Sequence, residues 1–473
     1  MKRIYYILLA LLTLLSSCSD WLDVKPKTET DSDELFSTED GFKSALAGIY
    51  TIMTDETLYG RELTFGLVGV LGMEWSTTTG QLATNTNEYY YAENYDYTNA
   101  IVKTKISKIW ANEYNAIDNA NKLIEYTEKD KDVLKGINYQ IIKGEALALR
   151  AFLHFDLLRL FGSADFNSNV SYIPYVETSL PEISILRTNK EVATRIISDL
   201  DAAEKLLIVD PVYKGEDYSS IDNGYLVNRN YHLNYWAVKA LKARVYLYEN
   251  KKDSALIEAQ AVIAAQGKGL YPWVNVDDVT NTNVNMRDRT FSSEHIFALN
   301  DNRLKDHITN YFYDTTTPLF TRLSVSTFGS TSLFTEQADY RYFFEEDDGV
   351  TNVLSKFWQM DVSNGITPKK SRMPMIRISE MYYIAAECLA ESDLSTAISY
   401  IQQVETNRGL TATLPSTATY ADLKNELLLE YQREFLGEGQ LFFYHKRIGT
   451  PVIYNATANY ILPLPDSETE YRN

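Results

Sequence analysis

Residues Leu233–Gln266 read LNYWAVKALKARVYLYENKKDSALIEAQAVIAAQ, and residues Pro374–Asn407 read PMIRISEMYYIAAECLAESDLSTAISYIQQVETN. Each reads as helix, turn, helix over about 34 residues, the tetratricopeptide period. In register, Ala243 aligns with Ala385, Leu247 with Leu389, Ala255 with Ala397 and Val262 with Val404. Small residues recur where paired helices must approach closely. Two such hairpins cannot bury a continuous core alone, so further helices must stack on them.

Those helices are visible on the N-terminal side. Apolar residues at helical spacing predict helices over 40–53, 101–127, 138–161 and 189–207. The third is apolar nearly all round and stops at Gly162, so it should be buried on most sides. A last helix is expected from Tyr420 to about Lys446. Between the two copies, residues 269–373 break the pattern with Gly, Asn, Thr and Pro clusters and many aromatics. An insertion of that length on a rigid scaffold is a place to look for function. The expected fold is mainly α: a tetratricopeptide-like hairpin scaffold with long loop-rich insertions forming a ligand face. Repeats should occupy about 101–266 and 374–446 of a single domain spanning 38–473.

The composition is that of a globular chain, with 45% hydrophobic and 23% charged residues. Its 64 Asp and Glu outweigh 45 Lys and Arg, for a net charge of −19. That argues against a nucleic-acid partner, which needs a basic footprint. Tyrosine is abundant, with 35 Tyr against 19 Phe and 6 Trp. Phenol rings suit half-wet surfaces, apolar on the face and polar at the tip.

The first residues set the compartment. Lys2 and Arg3 precede the apolar run Ile4–Leu15, which is shorter than the roughly 20 residues a spanning helix needs. The run ends in Leu15-Ser16-Ser17-Cys18, which resembles a bacterial lipobox. Residues 1–17 are therefore expected to be a lipoprotein signal peptide. Cys18 is the expected lipidation site, and 18–37 a lipidated tether. With Cys18 acylated, Cys388 has no disulfide partner and is expected to be a small core residue.

Several segments together resemble the SusD/RagB family of nutrient-binding outer-membrane lipoproteins of Bacteroidetes. They are the lipobox followed by Asp20-Trp21-Leu22-Asp23-Val24-Lys25-Pro26; Trp110, Tyr114, Ile117 and Asn121; and Leu149 through Gly162. The others are Pro374 through Glu387, Glu430 through Gln440 with Lys446-Arg447-Ile448-Gly449, and Ile461-Leu462-Pro463-Leu464-Pro465. The resemblance implies a helical body with four tetratricopeptide-like hairpins, no catalysis, and lipid anchoring at the cell surface. It also implies a TonB-dependent β-barrel transporter as partner and an oligosaccharide or polysaccharide as the usual ligand. A peptide-binding lid of a peptide importer, or a scaffold that binds the transporter alone, are the alternatives. Arg150, Arg377, Glu387, Arg433, Glu434, Glu438 and Arg447 within these motifs have apolar neighbours, and buried charge pairing accounts for them better than a site.

Catalytic signatures are absent from the sequence. The five histidines form no zinc-binding spacing, and no nucleophile elbow or phosphate loop is present. His154 on an apolar helix is expected to be a satisfied core residue. Glu345-Glu346-Asp347-Asp348-Gly349 offers oxygen ligands for calcium, but a solvated acidic loop explains it as well. No cofactor or metal is expected.

Sugar rings present apolar C–H faces rimmed by hydroxyls, so a site needs aromatic platforms and a few orienting polar groups. Two stretches supply both. The first holds Trp75, Asn87, Tyr89, Tyr90, Tyr91, Tyr95 and Tyr97; the second, in the insertion, holds Trp273, Tyr311 and Tyr313. These are the expected ligand-binding residues, Trp75 foremost.

Overall fold

A computed structural model describes residues 27–75, 87–180, 183–215, 222–313, 333–334, 336–347, 352–359, 369–415, 417–453 and 456–472. The chain opens with helices α1 (Lys27–Leu35) and α2 (Glu39–Met53). Thr38 caps α2 by accepting from the Gly41 N–H. This start corrects the expectation of a tether as far as residue 37. Phe36 is buried, its ring stacked on Tyr126 at 4.3 Å, and Asp33 accepts from Tyr126 and Lys129 at 2.7 Å each. An apolar ring with an aromatic partner docks the segment on the body. Cys18 lies outside the described residues.

The scaffold follows. Helix α3 (Ala100–Lys129) starts at Asn99, whose side chain accepts from the Ile101 N–H. Helix α4 (Asn138–Phe161) is buried along almost its whole length, as an all-round apolar helix must be. Helix α5 (Asn189–Leu206) begins with a reciprocal capping box between Thr188 and Glu191. The two repeats are helix–turn–helix units, α6 (Tyr235–Tyr248) with α7 (Lys252–Gln266), and α8 (Ile378–Leu389) with α9 (Leu394–Thr406). Consecutive helices from α3 to α9 pack in series, α7 meeting α8 across the repeat boundary. Ala243, Ala385, Ala255, Ala397, Val262 and Val404 are fully buried, as the aligned small residues require.

The end of the scaffold differs from expectation. One helix was expected from Tyr420 to Lys446; two form, α10 (Tyr420–Glu434) and α11 (Leu441–Ile448). Gly437 and Gly439 sit between them at φ +77° and +69°, where only glycine is unstrained. A Cβ on Gly439 would also lie 2.3 Å from the Leu63 carbonyl oxygen.

Among the described residues every sheet is a two-stranded antiparallel pair. Strand β1 (Ser171–Pro174) pairs antiparallel with β2 (Leu186–Thr188). The insertion is closed at its base by β3 (His295–Asn300) against β4 (Arg372–Arg377), with Ala298 opposite Pro374. Strand β4 runs directly into α8, so the loop-rich segment returns to the scaffold at the second repeat. Asn234 ties the first repeat to the same base. Its Oδ1 caps α6 by accepting from the Trp236 and Ala237 N–H groups, and its Nδ2 donates to the Ile296 carbonyl at 2.9 Å.

A buried charge network fixes the insertion to α10. Arg341 comes from the insertion, Arg377 from the end of β4 and Arg408 from just after α9; all three converge on Glu434 of α10. Arg408 donates to Glu434 at 3.0 and 2.6 Å and to Glu294 at 2.8 and 2.6 Å. Arg341 grips Glu430 at 2.8 and 3.0 Å, and Arg377 reaches Glu438 at 3.0 Å. Burial alone would raise the Glu434 carboxyl, but Arg408 and Arg377 hold it well below the carboxylate range. Arg150 pairs with Asp199 and Arg447 with Glu387, so the motif charges are paired as expected. His154 is satisfied by the Arg150 carbonyl and the Val176 N–H, and burial pushes it down to about 3, leaving it neutral. Glu345–Asp347 forms a short strand paired with Asn352–Leu354; Asp348 and Gly349 lie outside the described residues.

Candidate functional site

The two aromatic stretches do meet. Trp75 packs on Phe312 at 5.2 Å between ring centroids, and Tyr89 faces Tyr311 at 6.2 Å. Phe65 lies between them, 5.1 Å from Phe312 and 6.0 Å from Tyr311. Segments from distant parts of the chain thus form one aromatic cluster.

The cluster is buried, which corrects the expectation that these rings are open platforms. Trp75 is 1% exposed and its Nε1–H donates to the Phe65 carbonyl at 2.8 Å. Tyr89 donates to Glu62, Tyr95 to the Leu71 carbonyl at 2.9 Å, Tyr97 to the Asn459 carbonyl at 2.5 Å, and Tyr311 to Glu88 at 2.5 Å. Asn87 is buried and its Oδ1 accepts from the Tyr89 N–H. In each case the polar tip has a protein partner, so the ring can be fully desolvated. Tyr90 and Tyr91 stay partly exposed, edge to face at 5.1 Å. Trp273 is half-buried but belongs elsewhere, against Tyr382 at 5.1 Å and beneath Arg408. The side chain of Tyr313 lies outside the described residues.

Beside this cluster the surface opens into a cleft of about 380 Å³. Its walls include Arg61, Glu62, Glu88, Lys105 and Lys108, with Thr57 and Thr104. The volume falls in the range of small-ligand pockets. Lys105 donates to Glu62 at 2.7 Å and to Glu88 at 2.6 Å, while Arg61 donates to Glu62 and to the Tyr311 hydroxyl at 3.1 Å each. Burial would raise the Glu88 carboxyl, but Lys105 and the Tyr311 hydroxyl bring it below its ordinary value. Hydroxyls, fixed carboxylates and cationic donors together are the inventory that a polyhydroxylated ligand needs. Sequence reasoning missed this cleft. One signal was present: Lys105 interrupts the apolar face of α3 formed by Val102, Ile106 and Ile109, and a lysine there needs a buried partner.

Glu74, next to Trp75, adds a pH dependence. Its Oε2 accepts from the Gly437 N–H at 2.7 Å, while Oε1 has no hydrogen-bond partner among the described residues. Burial pushes the carboxyl up to about 8, against the opposing pull of the Gly437 N–H and Lys356. In the unfolded chain it titrates near 4.5. The folded state therefore holds a proton that the unfolded state has lost over that window. The associated stabilisation is full at low pH and disappears as pH rises through about 8. Glu74→Gln, which cannot titrate, should flatten this slope. The difference in unfolding free energy between wild type and variant is expected to shift against wild type by a few kcal/mol, on the order of the pKa displacement, from about pH 5 to about pH 8. Parallel denaturation curves across that range would refute it.

Comparisons with known proteins agree across the chain. Residues 20–247 match a SusD-like family model described as starch-binding and associating with the outer membrane, and residues 264–470 match the SusD family model. A SusD-like protein of Formosa agariphila is 23% identical over 82% of this chain and 78% of its own length. A solved SusD superfamily protein from Bacteroides thetaiotaomicron superposes with a TM-score of 0.70 at 22% identity, covering 92% of this chain and 98% of the other. A laminarin-binding SusD-like protein superposes at 0.64 with 18% identity, covering 92% and 97%. With both halves matched in order and the helical-repeat fold shared throughout, the chain belongs to the SusD/RagB family of Bacteroidetes proteins.

Proposed function

We propose that this protein captures oligosaccharides or polysaccharides at the outer-membrane surface and passes them to a TonB-dependent transporter. The observation that carries the reading is the pair of family matches spanning the chain, one of them to a starch-binding family. The laminarin-binding relative of the same fold supports a glycan as the ligand class. The cleft at Arg61, Glu88 and Lys105 is the proposed contact surface, with the partly exposed Tyr90 and Tyr91 as neighbouring rings. Catalysis is not part of the proposal. A general acid needs a raised carboxyl, and Glu88 is held low by Lys105. The lipobox at Cys18 supports anchoring through lipid, and the described residues contain no helix long and apolar enough to cross a membrane.

Affinity electrophoresis in gels containing starch, laminarin and other glycans tests the reading. At least one glycan should retard the protein. Thr104→Trp, which adds bulk to an exposed cleft wall without removing a buried contact, should weaken that binding about tenfold with the fold intact. Retention of peptides with no retardation on any glycan would replace this reading with peptide capture. Unchanged mobility of Thr104→Trp would move the site away from the cleft. Co-purification with the β-barrel from membranes tests the partner, and Cys18→Ser should release the protein from the membrane fraction.

A further inference from the structure

A second cleft adjoins the first. The C-terminal helix α12 (Asp466–Arg472) is tied to α3 by Lys103, which donates to Asp466 at 2.9 Å. Between α3, α12 and the end of β1 an open groove of about 400 Å³ remains, as large as the cleft at Arg61 and Lys105. Trp110 and Tyr114, with ring centroids 4.7 Å apart, and Tyr471 line it. Tyr471 is the converse of the tyrosines around Trp75. Its ring is 77% exposed, and its hydroxyl has no partner among the described residues. It is an open platform over an aromatic floor.

The polar groups of the groove are of both kinds. Arg472 donates from Nη1 to the Ser184 carbonyl at 2.8 Å and from Nη2 to Glu468 at 3.1 Å, while its buried Nε has no partner. Glu468 accepts through Oε2, which leaves Oε1 as an acceptor. Aromatic faces with a fixed donor and a fixed acceptor suit a ring that is apolar on its face and hydroxylated at its edge. The two clefts share α3. Thr104 and Lys108 line the first, and Ser107 and Ala111 line the second. On the helix surface these positions are three and four apart, so the clefts lie on adjoining faces, separated by the exposed Thr104, Lys108 and Ala111. Their centres are offset by about seven residues, or about 10 Å along the helix axis.

We infer that the two clefts form one track and that the ligand is a polymer: a single glycan chain crosses α3 with sugar units in both. This rests on the glycan-capture reading and adds to it that chain length is selected and that α12 belongs to the site. The probe is a size series, from disaccharide to octasaccharide, of whichever glycan retards the protein in gels, titrated by calorimetry. Affinity should rise at least tenfold from the shortest member to the longest, because a chain held in the first cleft meets the second intramolecularly. Tyr471→Ala removes an exposed ring and Ala111→Trp fills the exposed ridge, so both should fold as wild type does. Each should cancel most of the gain with length and leave binding of the shortest member within about twofold. Thr104→Trp, in the first cleft, should weaken short and long members alike. Equal affinity at every length overturns the inference and leaves glycan capture standing, as does a gain that either Tyr471→Ala or Ala111→Trp leaves whole. No retardation on any glycan removes both.

Discussion

Glu434→Ala is expected to be among the most destabilising single substitutions in this protein. Three guanidinium groups, from Arg341, Arg377 and Arg408, converge on that one carboxylate, and all four side chains are fully buried. Removing it leaves Arg377 with Glu438 and Arg408 with Glu294, but each loses part of its compensation in a fully buried site. Breaking a buried pair by deleting one partner costs about 3–5 kcal/mol. A domain has roughly 5–15 kcal/mol in total. The expected result is a large fall in the urea midpoint, or no soluble protein at all. Glu434→Gln keeps the shape and two hydrogen-bonding groups but not the charge, so it should lie close to the alanine variant rather than to wild type. Lys122→Ala is the control: its pair with Asp118 is 41% and 39% exposed, and exposed pairs contribute within about 1 kcal/mol. If Glu434→Ala behaved like Lys122→Ala, the network would not be what fastens the insertion to α10.

That network shows which parts of the fold could be read from sequence. Helix positions came through because period and burial agree: the aligned alanines and valines of the repeats are all buried, and α4 is enclosed on every side. The pairing of Arg150, Arg377 and Glu434 was legible in kind, since a charge among apolar neighbours must find a counter-charge. Its partners were not, because Arg341, which reaches α10, and Glu294, which meets Arg408, both come from the irregular insertion. The break between α10 and α11 escaped for a related reason. Apolar residues continue through Phe435, Leu436, Leu441 and Phe442, and only the backbone at Gly437 and Gly439 reveals the turn. The candidate site was the least legible. A tyrosine is an open platform or a core residue depending on what its hydroxyl meets, and the partners here lie far away in the chain. Tyr97 meets Asn459 and Tyr311 meets Glu88. The cleft residues were overlooked because Arg61, Glu88 and Lys105 are unremarkable singly and become a wall only when α3 and the Tyr-rich turn come together.

Trp75→Ala separates the two readings of that aromatic cluster. Were Trp75 a stacking platform for sugar, the substitution would weaken glycan binding and leave the unfolding midpoint unchanged. The structure gives the opposite expectation. The indole fills a site against Phe312, and a buried Trp cut to Ala leaves a cavity costing about 3–5 kcal/mol. It also strands the buried Phe65 carbonyl, which loses its N–H donor, at about 1–3 kcal/mol when a buried group is left unpaired. The two terms overlap, since both include loss of the same contacts, so the expected total stays near the upper end of the first range. Trp75→Phe divides them in part: it keeps an aromatic ring against Phe312, removes the N–H, and leaves a smaller cavity than alanine. Its midpoint, followed by circular dichroism, should fall between wild type and Trp75→Ala. Glycan retardation should then be measured where each variant is still folded. Trp75→Phe is expected to bind within about twofold of wild type, because the ring it alters faces the core and not the ligand. Strong loss of binding by Trp75→Phe at an unchanged midpoint would return Trp75 to the ligand surface and would require that the indole turn outward when glycan binds.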